Sequence, residues 1–202
     1  MKYFFYTFIF LLITTNLYSQ VYEKHYVLSG KIKMHLEIQS GKLESQQIFY
    51  YRNGQKEVEA NYVNDTLHGK IIGWYKNGQI SYIGYFEYGI KIGKWMFYYK
   101  SGFPKKQEYY TNGVPDDYWY EWYNNLQMKL KSYYVLGLLE GKYQAWHKNG
   151  QLSEEGNCHE GYKDGLWTEW WPNGNKKSVI EYKKGNVINT PQMWWSNGRE
   201  MD

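Results

Sequence analysis

Five Asn-Gly pairs, at 53–54, 77–78, 149–150, 173–174 and 197–198, stand 24 residues or a multiple of 24 apart. Ser29-Gly30 and Ser101-Gly102 fill two more slots of the series, and Asn125-Leu126 fills another without its glycine. A second series holds Gly41, Gly89, Gly113, Gly137, Gly161 and Gly185, with Asp65 as its departure. A third holds Gly69, Gly93, Gly141 and Gly165, with Ser45, Asp117 and Asn189 as departures. Seventeen of the 20 glycines belong to these three series. A period kept this far means that one supersecondary unit is repeated along the chain.

Aromatic residues make up 21% of the sequence, with 24 Tyr and 10 Trp, far above an ordinary soluble domain. They keep the same period. Trp74, Trp122, Trp146, Trp170 and Trp194 share one column, completed by Tyr26, Tyr50 and Tyr98. The next column holds Tyr51, Tyr75, Tyr99, Tyr123, His147, Trp171 and Trp195. A third holds Ile71, Trp95, Trp119, Tyr143 and Trp167, and a fourth holds Tyr62, Phe86, Tyr110, Tyr134 and Tyr182, with Cys158 among them.

Asn-Gly between runs of aromatic and β-branched residues is a strong hairpin signal, because both positions of a type I′ turn need positive φ. Gly54, Gly78, Gly102, Gly150, Gly174 and Gly198 are therefore assigned to turns. The other end of the unit, as in "EGYKDG", reads as a longer hairpin loop. Each unit then supplies two strands of about six to seven residues, and no 3.6-residue pattern appears after residue 20. The expected fold is all-β: an elongated single-layer antiparallel meander of β-hairpin repeats, twisted and solenoid-like. Some 15 strands at ~4.8 Å would extend roughly 70 Å. A two-residue turn fixes the register, setting Tyr143 opposite Gly156 and Trp119 opposite Ser132. Large rings opposite small residues can lie down over the sheet.

Residues 1–19 differ from the rest. Lys2, an apolar run from Tyr3 to Ile13 and a small-residue end at Ser19 have the layout of a cleavable signal peptide. The run is shorter than the ~20 residues of a spanning helix. The expectation is residues 1–19 as signal peptide and 20–202 as an array of about seven repeats, periplasmic or secreted. No cysteine lies near the cut for lipid attachment, and the single Cys158 excludes an internal disulfide framework.

Catalytic chemistry has little to work with. Cys158 and His159, with His147, Glu154 and Glu155, show neither metal-ligand spacing nor a triad-like arrangement. Cys158 sits in a tyrosine column, so a buried small hydrophobe is its simplest role. The reading is no enzyme, no metal and no cofactor. A net charge of +4, with Lys and Arg scattered along the chain, gives no case for nucleic acid.

"FEYGIKIGKW" (86–95), "YVLGLLEGKY" (134–143) and "CHEGYKDGLW" (158–167) read aromatic-x-x-Gly-x-x-x-Gly-x-aromatic. This resembles the MORN repeat, the membrane occupation and recognition nexus motif. The added Trp/Tyr-aromatic-x-Asn-Gly half looks like its bacterial variant, labelled a YwqK-type antitoxin repeat. The resemblance covers the chain from about residue 26 onward. It implies hairpin arrays that act as scaffolds or binding surfaces, without catalysis.

A single-layer sheet cannot hide both faces. If one face curls into a core, the other displays an aromatic strip, and exposed apolar patches usually mark interaction sites. The residues expected to bind are Trp74, Tyr98, Trp122, Trp146, Trp170 and Trp194. A protein partner leads, because Trp and Tyr are favoured in binding hot spots. It could be a toxin neutralised outside the cytoplasm, as by an immunity protein. The alternative is a cell-surface polysaccharide stacked on the rings. An anionic membrane surface comes third, and an uncapped sheet edge invites a homodimer.

Overall fold

The computed structural model describes residues 21–28 and 31–201; the signal-peptide reading of 1–19 lies outside them. The regular structure of the described residues is all strand, with no helix. The strands are β1 (Val21–Leu28), β2 (Lys31–Gln39), β3 (Lys42–Leu43), β4 (Ser45–Tyr50), β5 (Lys56–Val63), β6 (Thr66–Trp74), β7 (Ile80–Glu87), β8 (Ile90–Tyr98) and β9 (Pro104–Thr111). They continue as β10 (Val114–Pro115), β11 (Asp117–Trp122), β12 (Met128–Val135), β13 (Leu138–Leu139), β14 (Gly141–Trp146), β15 (Leu152–His159), β16 (Tyr162–Trp170), β17 (Lys176–Lys183), β18 (Asn186–Val187) and β19 (Gln192–Met193). Every pairing is antiparallel and joins neighbours along the chain, so the architecture is one open meander. The short segments β3, β10 and β13 are the first ends of β4, β11 and β14. Each break falls one residue before a position with positive φ: Ser45 (58°), Asp117 (59°) and Gly141 (68°).

The two turns of the unit are the reverse of the sequence reading. The type I′ turns lie at the other end. Tyr88 (46°) and Gly89 (80°) both have positive φ, and Glu87 pairs directly with Ile90 around them. The same holds for Asn64-Asp65, Asn112-Gly113, Leu136-Gly137, Glu160-Gly161 and Lys184-Gly185. At Asn53-Gly54 only the glycine has positive φ (88°). Gly54 N–H donates to the Tyr51 carbonyl (2.8 Å) and Tyr51 N–H to the Gln55 carbonyl (2.8 Å). That is a three-residue loop, a type I turn followed by a left-handed glycine. The asparagine is there for its side chain, which accepts from Gln55 N–H (3.2 Å) and donates to the Lys76 carbonyl one repeat later (3.2 Å). Leu126 takes the same backbone position at φ 68°, so the missing glycine leaves the loop intact.

The register came out as expected, though not from a two-residue turn. Tyr143 pairs with Gly156 and Trp119 with Ser132. The three-residue loop shifts the first pair, Trp146 with Leu152, by one residue. A β-bulge between Ala145 and Trp146 then restores the shift. Loop and bulge recur together at the six such ends from β4–β5 to β16–β17, which keeps each strand's inward positions inward.

All strongly buried side chains share one face. Ala60, Ile71, Trp95, Cys158 and Trp167 form the apolar part, with Gln47, Glu108, Ser132 and Ser178 as buried polar members. The three glycines outside the sequence series explain how this face closes. A methyl group on Gly84 would meet the Trp95 ring at 2.2 Å, one on Gly156 the Trp167 ring at 2.3 Å, and one on Gly73 the Tyr82 ring at 2.2 Å. Each ring lies flat on a bare stretch of neighbouring backbone. Over Gly156 the ring is Trp167, from the strand after, with Tyr143 beside it (centroids 5.4 Å). Trp95 and Trp167 are only 4% and 3% exposed, although no second layer covers them. Phe86 packs edge-on against Trp95 at 5.1 Å. Lysine stems complete the cover: Lys91 Nζ lies 4.4 Å from the Trp95 ring and Lys163 Nζ 3.9 Å from Trp167.

Replacing Gly84 or Gly156 with Ala is expected to lower stability by about 1–3 kcal/mol, since the indole must lift off the sheet. Urea titration followed by tryptophan fluorescence reads it. An unchanged midpoint would show that the rings are not seated on those glycines.

Candidate functional site

The residues expected to bind lie in one row on the face opposite the core. In each strand their neighbour in sequence points inward: Gly73 before Trp74 is buried, and Glu121 before Trp122 joins the inward ion cluster described below. Side chains alternate, so the row points outward. Trp74, Tyr98, Trp122, Trp146, Trp170 and Trp194 are all half-buried rather than fully exposed. Their direct cross-strand partners are long or aliphatic: Ile80, Pro104, Met128, Leu152 and Lys176 oppose the first five. Lys56 and Lys176 place ammonium groups 5.5 and 5.7 Å from the Trp74 and Trp194 rings. Near its middle the row widens. Tyr120 stacks beside Trp122 (5.9 Å) and Tyr118 beside Tyr120 (6.0 Å), and Tyr118 is exposed.

The backbone of this row is pinned by the column next to it. Tyr51 hydroxyl donates to the Trp74 carbonyl (2.7 Å), Tyr75 to Tyr98 (2.7 Å), Tyr99 to Trp122 (2.8 Å) and Tyr123 to Trp146 (2.9 Å). His147 Nε2 lies 2.8 Å from the Trp170 carbonyl, and Trp171 Nε1 donates to the Trp194 carbonyl (2.9 Å). Every donor reaches 23 residues ahead. The Asn-Gly turns add a parallel ladder: Asn77 to the Lys100 carbonyl (2.9 Å), Asn125 to Lys148 (2.8 Å), Asn149 to Pro172 and Asn173 to Ser196 (both 2.6 Å). At the opposite ends, Gly89, Gly113, Gly137, Gly161 and Gly185 donate backwards to carbonyls of the previous unit at 2.8–2.9 Å.

The inward face holds charged groups among its rings. Glu108 occupies the slot that glycine fills elsewhere and is 6% exposed. Lys106 Nζ (2.7 Å) and the Tyr110 hydroxyl (2.9 Å) bond to it. Lys106 also faces Glu121 (3.4 Å), which meets Lys129 (2.9 Å). Burial would lower Lys106, but Glu108 and Glu121 outweigh it and hold the ammonium above its ordinary range. Burial, then Glu108, pushes the Tyr110 hydroxyl up. A cleft of about 310 Å³ opens between Leu139, Tyr143, Glu154, Cys158, Gly161, Lys163 and Trp167. Burial pushes the Cys158 thiol up, away from the thiolate a nucleophile needs, and pushes Tyr143 to about 12. His159 is turned away from Cys158 and meets Glu140 on the exposed turn edge (3.0 Å). Glu154 pairs with Lys163 (2.6 Å) and Glu155 with Lys142 (3.0 Å), on opposite faces. Among the described residues no group of His, Cys, Asp and Glu is placed to hold a metal ion.

Fold and site together define an array of β-hairpin repeats, each clamped to the next through fixed carbonyl positions. The family model described as a MORN repeat variant matches residues 43–64, 67–88, 139–157 and 163–184. The chain is a MORN-repeat protein. The matches start 24 or 72 residues apart, on the period of the turns. Between 88 and 139, where Asp117 and Leu126 replace glycines, the hairpins continue with the same positive φ. A search of curated proteins found no match.

Tyr99→Phe should lower stability by about 1–2 kcal/mol, because the Trp122 carbonyl loses its donor. His147→Tyr should be tolerated where His147→Phe is not; equal urea midpoints for those two variants would sink the donor argument. The hydrogen bond with Glu140 raises His159, and hydrogen bonds from His159 and Glu160 N–H lower Glu140. The His159 contribution is complete below its unfolded value of 6.5 and is lost as pH rises through the raised folded value. The Glu140 contribution is present above 4.5 and lost as pH falls. His159→Asn should therefore lower thermal stability more at about pH 5.5 than at about pH 8.5, and a pH-independent difference would contradict the pairing.

Proposed function

We propose that this chain is a non-enzymatic binding scaffold that docks a protein on its outward aromatic row, outside the cytoplasm if residues 1–19 direct export. One observation carries the reading. Six large rings stand at a single interval on the uncovered face, their backbone carbonyls held by the Tyr, His and Trp donors of the neighbouring column. A pinned array of Trp and Tyr gives up little conformational entropy on binding, and these residues supply most hot-spot energy in protein interfaces. The occurrence of MORN repeats as binding modules supports the same role. A toxin neutralised by capture is one partner of this kind. The Tyr118–Tyr120–Trp122 patch, where the row is widest, is the natural centre of the footprint.

The test is the triple variant Trp122→Ala, Trp146→Ala and Trp170→Ala, compared with wild type in affinity capture from cells of the source organism. A partner identified by mass spectrometry and reconstituted from purified components should bind at least 100-fold more weakly to the variant, with the far-UV spectrum kept. Undiminished binding would remove the row from the interface.

A further inference from the structure

Ten of the 24 Lys and Arg lie along one edge of the sheet. The seven Asn-Gly-type loops, 51–57, 75–81, 99–105, 123–129, 147–153, 171–177 and 195–201, carry ten Lys or Arg against Glu57 and Glu200. The first residue after the aromatic donor is the outermost: Arg52, Lys76, Lys100 and Lys148 in four of the seven loops, all exposed. None of the four joins an ion pair with a carboxylate among the described residues. The opposite, type I′ edge carries eight carboxylates, Glu44, Asp65, Glu87, Asp116, Asp117, Glu140, Glu160 and Asp164, against five lysines, Lys42, Lys91, Lys163, Lys183 and Lys184. The ribbon is thus polarised across its width.

The cationic row is also held at fixed spacing. The carbonyls of Lys76, Lys100 and Lys148 are the acceptors of Asn53, Asn77 and Asn125 from the preceding unit. Each clamp fixes the backbone of the residue that bears the charge. Arg52, Lys76 and Lys100 stand two strands, ~10 Å, apart; Asn124 fills the next slot, so Lys148 lies four strands, ~20 Å, beyond Lys100. Beside them runs an exposed amide row, Gln55, Gln79, Gln127 and Gln151. Inside that are the half-buried rings of Tyr51, Tyr75 and Tyr99.

We propose that this edge binds a linear acidic polysaccharide along the sheet axis, with its carboxylates on Arg52, Lys76, Lys100 and Lys148. Periodic cations, amides and rings match a polymer with a chemical repeat: a carboxylate on every second sugar, hydroxyls for the amides and flat rings for the aromatics. An acidic polypeptide has no such repeat. A nucleic-acid strand carries a phosphate about every 3.4 Å, leaving most of them unmatched at this spacing. The surface is separate from the outward row, so it stands or falls independently of the protein-docking proposal.

The experiment is calorimetric titration of the purified chain with hyaluronan oligosaccharides of increasing length. Uncharged dextran, poly-glutamate and vesicles of phosphatidylcholine with phosphatidylserine serve as comparisons. The edge variant is Arg52→Gln, Lys76→Gln, Lys100→Gln and Lys148→Gln. The control variant removes four charges elsewhere: Lys70→Gln, Lys94→Gln, Lys142→Gln and Lys184→Gln. Affinity should climb with length until the oligosaccharide spans the row, and should fall with salt. The edge variant should lose at least tenfold and the control less than twofold. No hyaluronan binding, equal losses in both variants, or poly-glutamate or vesicles bound as tightly as hyaluronan would each overturn the proposal. The last outcome would mean charge attraction without polymer recognition. Both variants alter exposed side chains and should keep the wild-type far-UV spectrum; if the edge variant alone unfolds, the single changes Lys76→Gln and Lys100→Gln, each expected to lose at least twofold, decide it.

Discussion

An indole lying on a residue without a side chain is what lets this sheet exist without a second layer. Trp95 on Gly84 and Trp167 on Gly156 replace the missing opposite layer with rings folded down onto the sheet itself. A Cβ at either glycine would lift the ring and expose both the indole and the strand beneath it. The geometry needs more than the glycine. In each case the covering ring sits two residues after a left-handed position, Gly93 and Gly165, where the β7–β8 and β15–β16 registers shift. Bulge, lean and bare backbone work as one device, repeated at each hairpin with Ala60, Ser132 or a partnered Glu108 in the glycine's place.

Long-range order comes from a different set of contacts. Ring donors and asparagine amides reach 23 residues forward on one edge, and glycine N–H groups reach 22 residues back on the other. Each bond contributes only about 1 kcal/mol. Their effect on geometry is larger, because both ends of every hairpin are tied to the next one. A binding surface made of repeated side chains is then a ruler with regular marks. This is why an outward row of rings and an edge row of cations can both address extended or multivalent partners.

Much of this was legible in the sequence, and the misses have physical causes. Seventeen glycines follow the period and the described members all have positive φ, so periodicity identified a backbone requirement correctly. Gly84 and Gly156 keep the period too, three units apart in one column with Ala60, Glu108 and Ser132, but a column of mixed residues does not read as a glycine series; what they share is the ring packed on that slot. The turn types were exchanged because Asn-Gly has two uses: asparagine can tolerate positive φ, or it can stay right-handed and spend its amide on the next turn. The register survived because a bulge cancels the extra loop residue. A further signal was present but unread. The donor column contains Tyr, His and Trp but never Phe in a chain with 8 Phe, which is what an obligatory ring N–H or O–H looks like.

By itself, the sequence determined the unit, its length, its two turns and the repetition that makes an open β-hairpin array, because backbone φ requirements and strand alternation are local. Which face closes and what pins one hairpin to the next were decided only by tertiary structure. Those properties depend on which residues meet 11, 22 or 23 positions apart. That in turn depends on loops and bulges whose net register shift is a sum over the whole hairpin, invisible in any short stretch of chain.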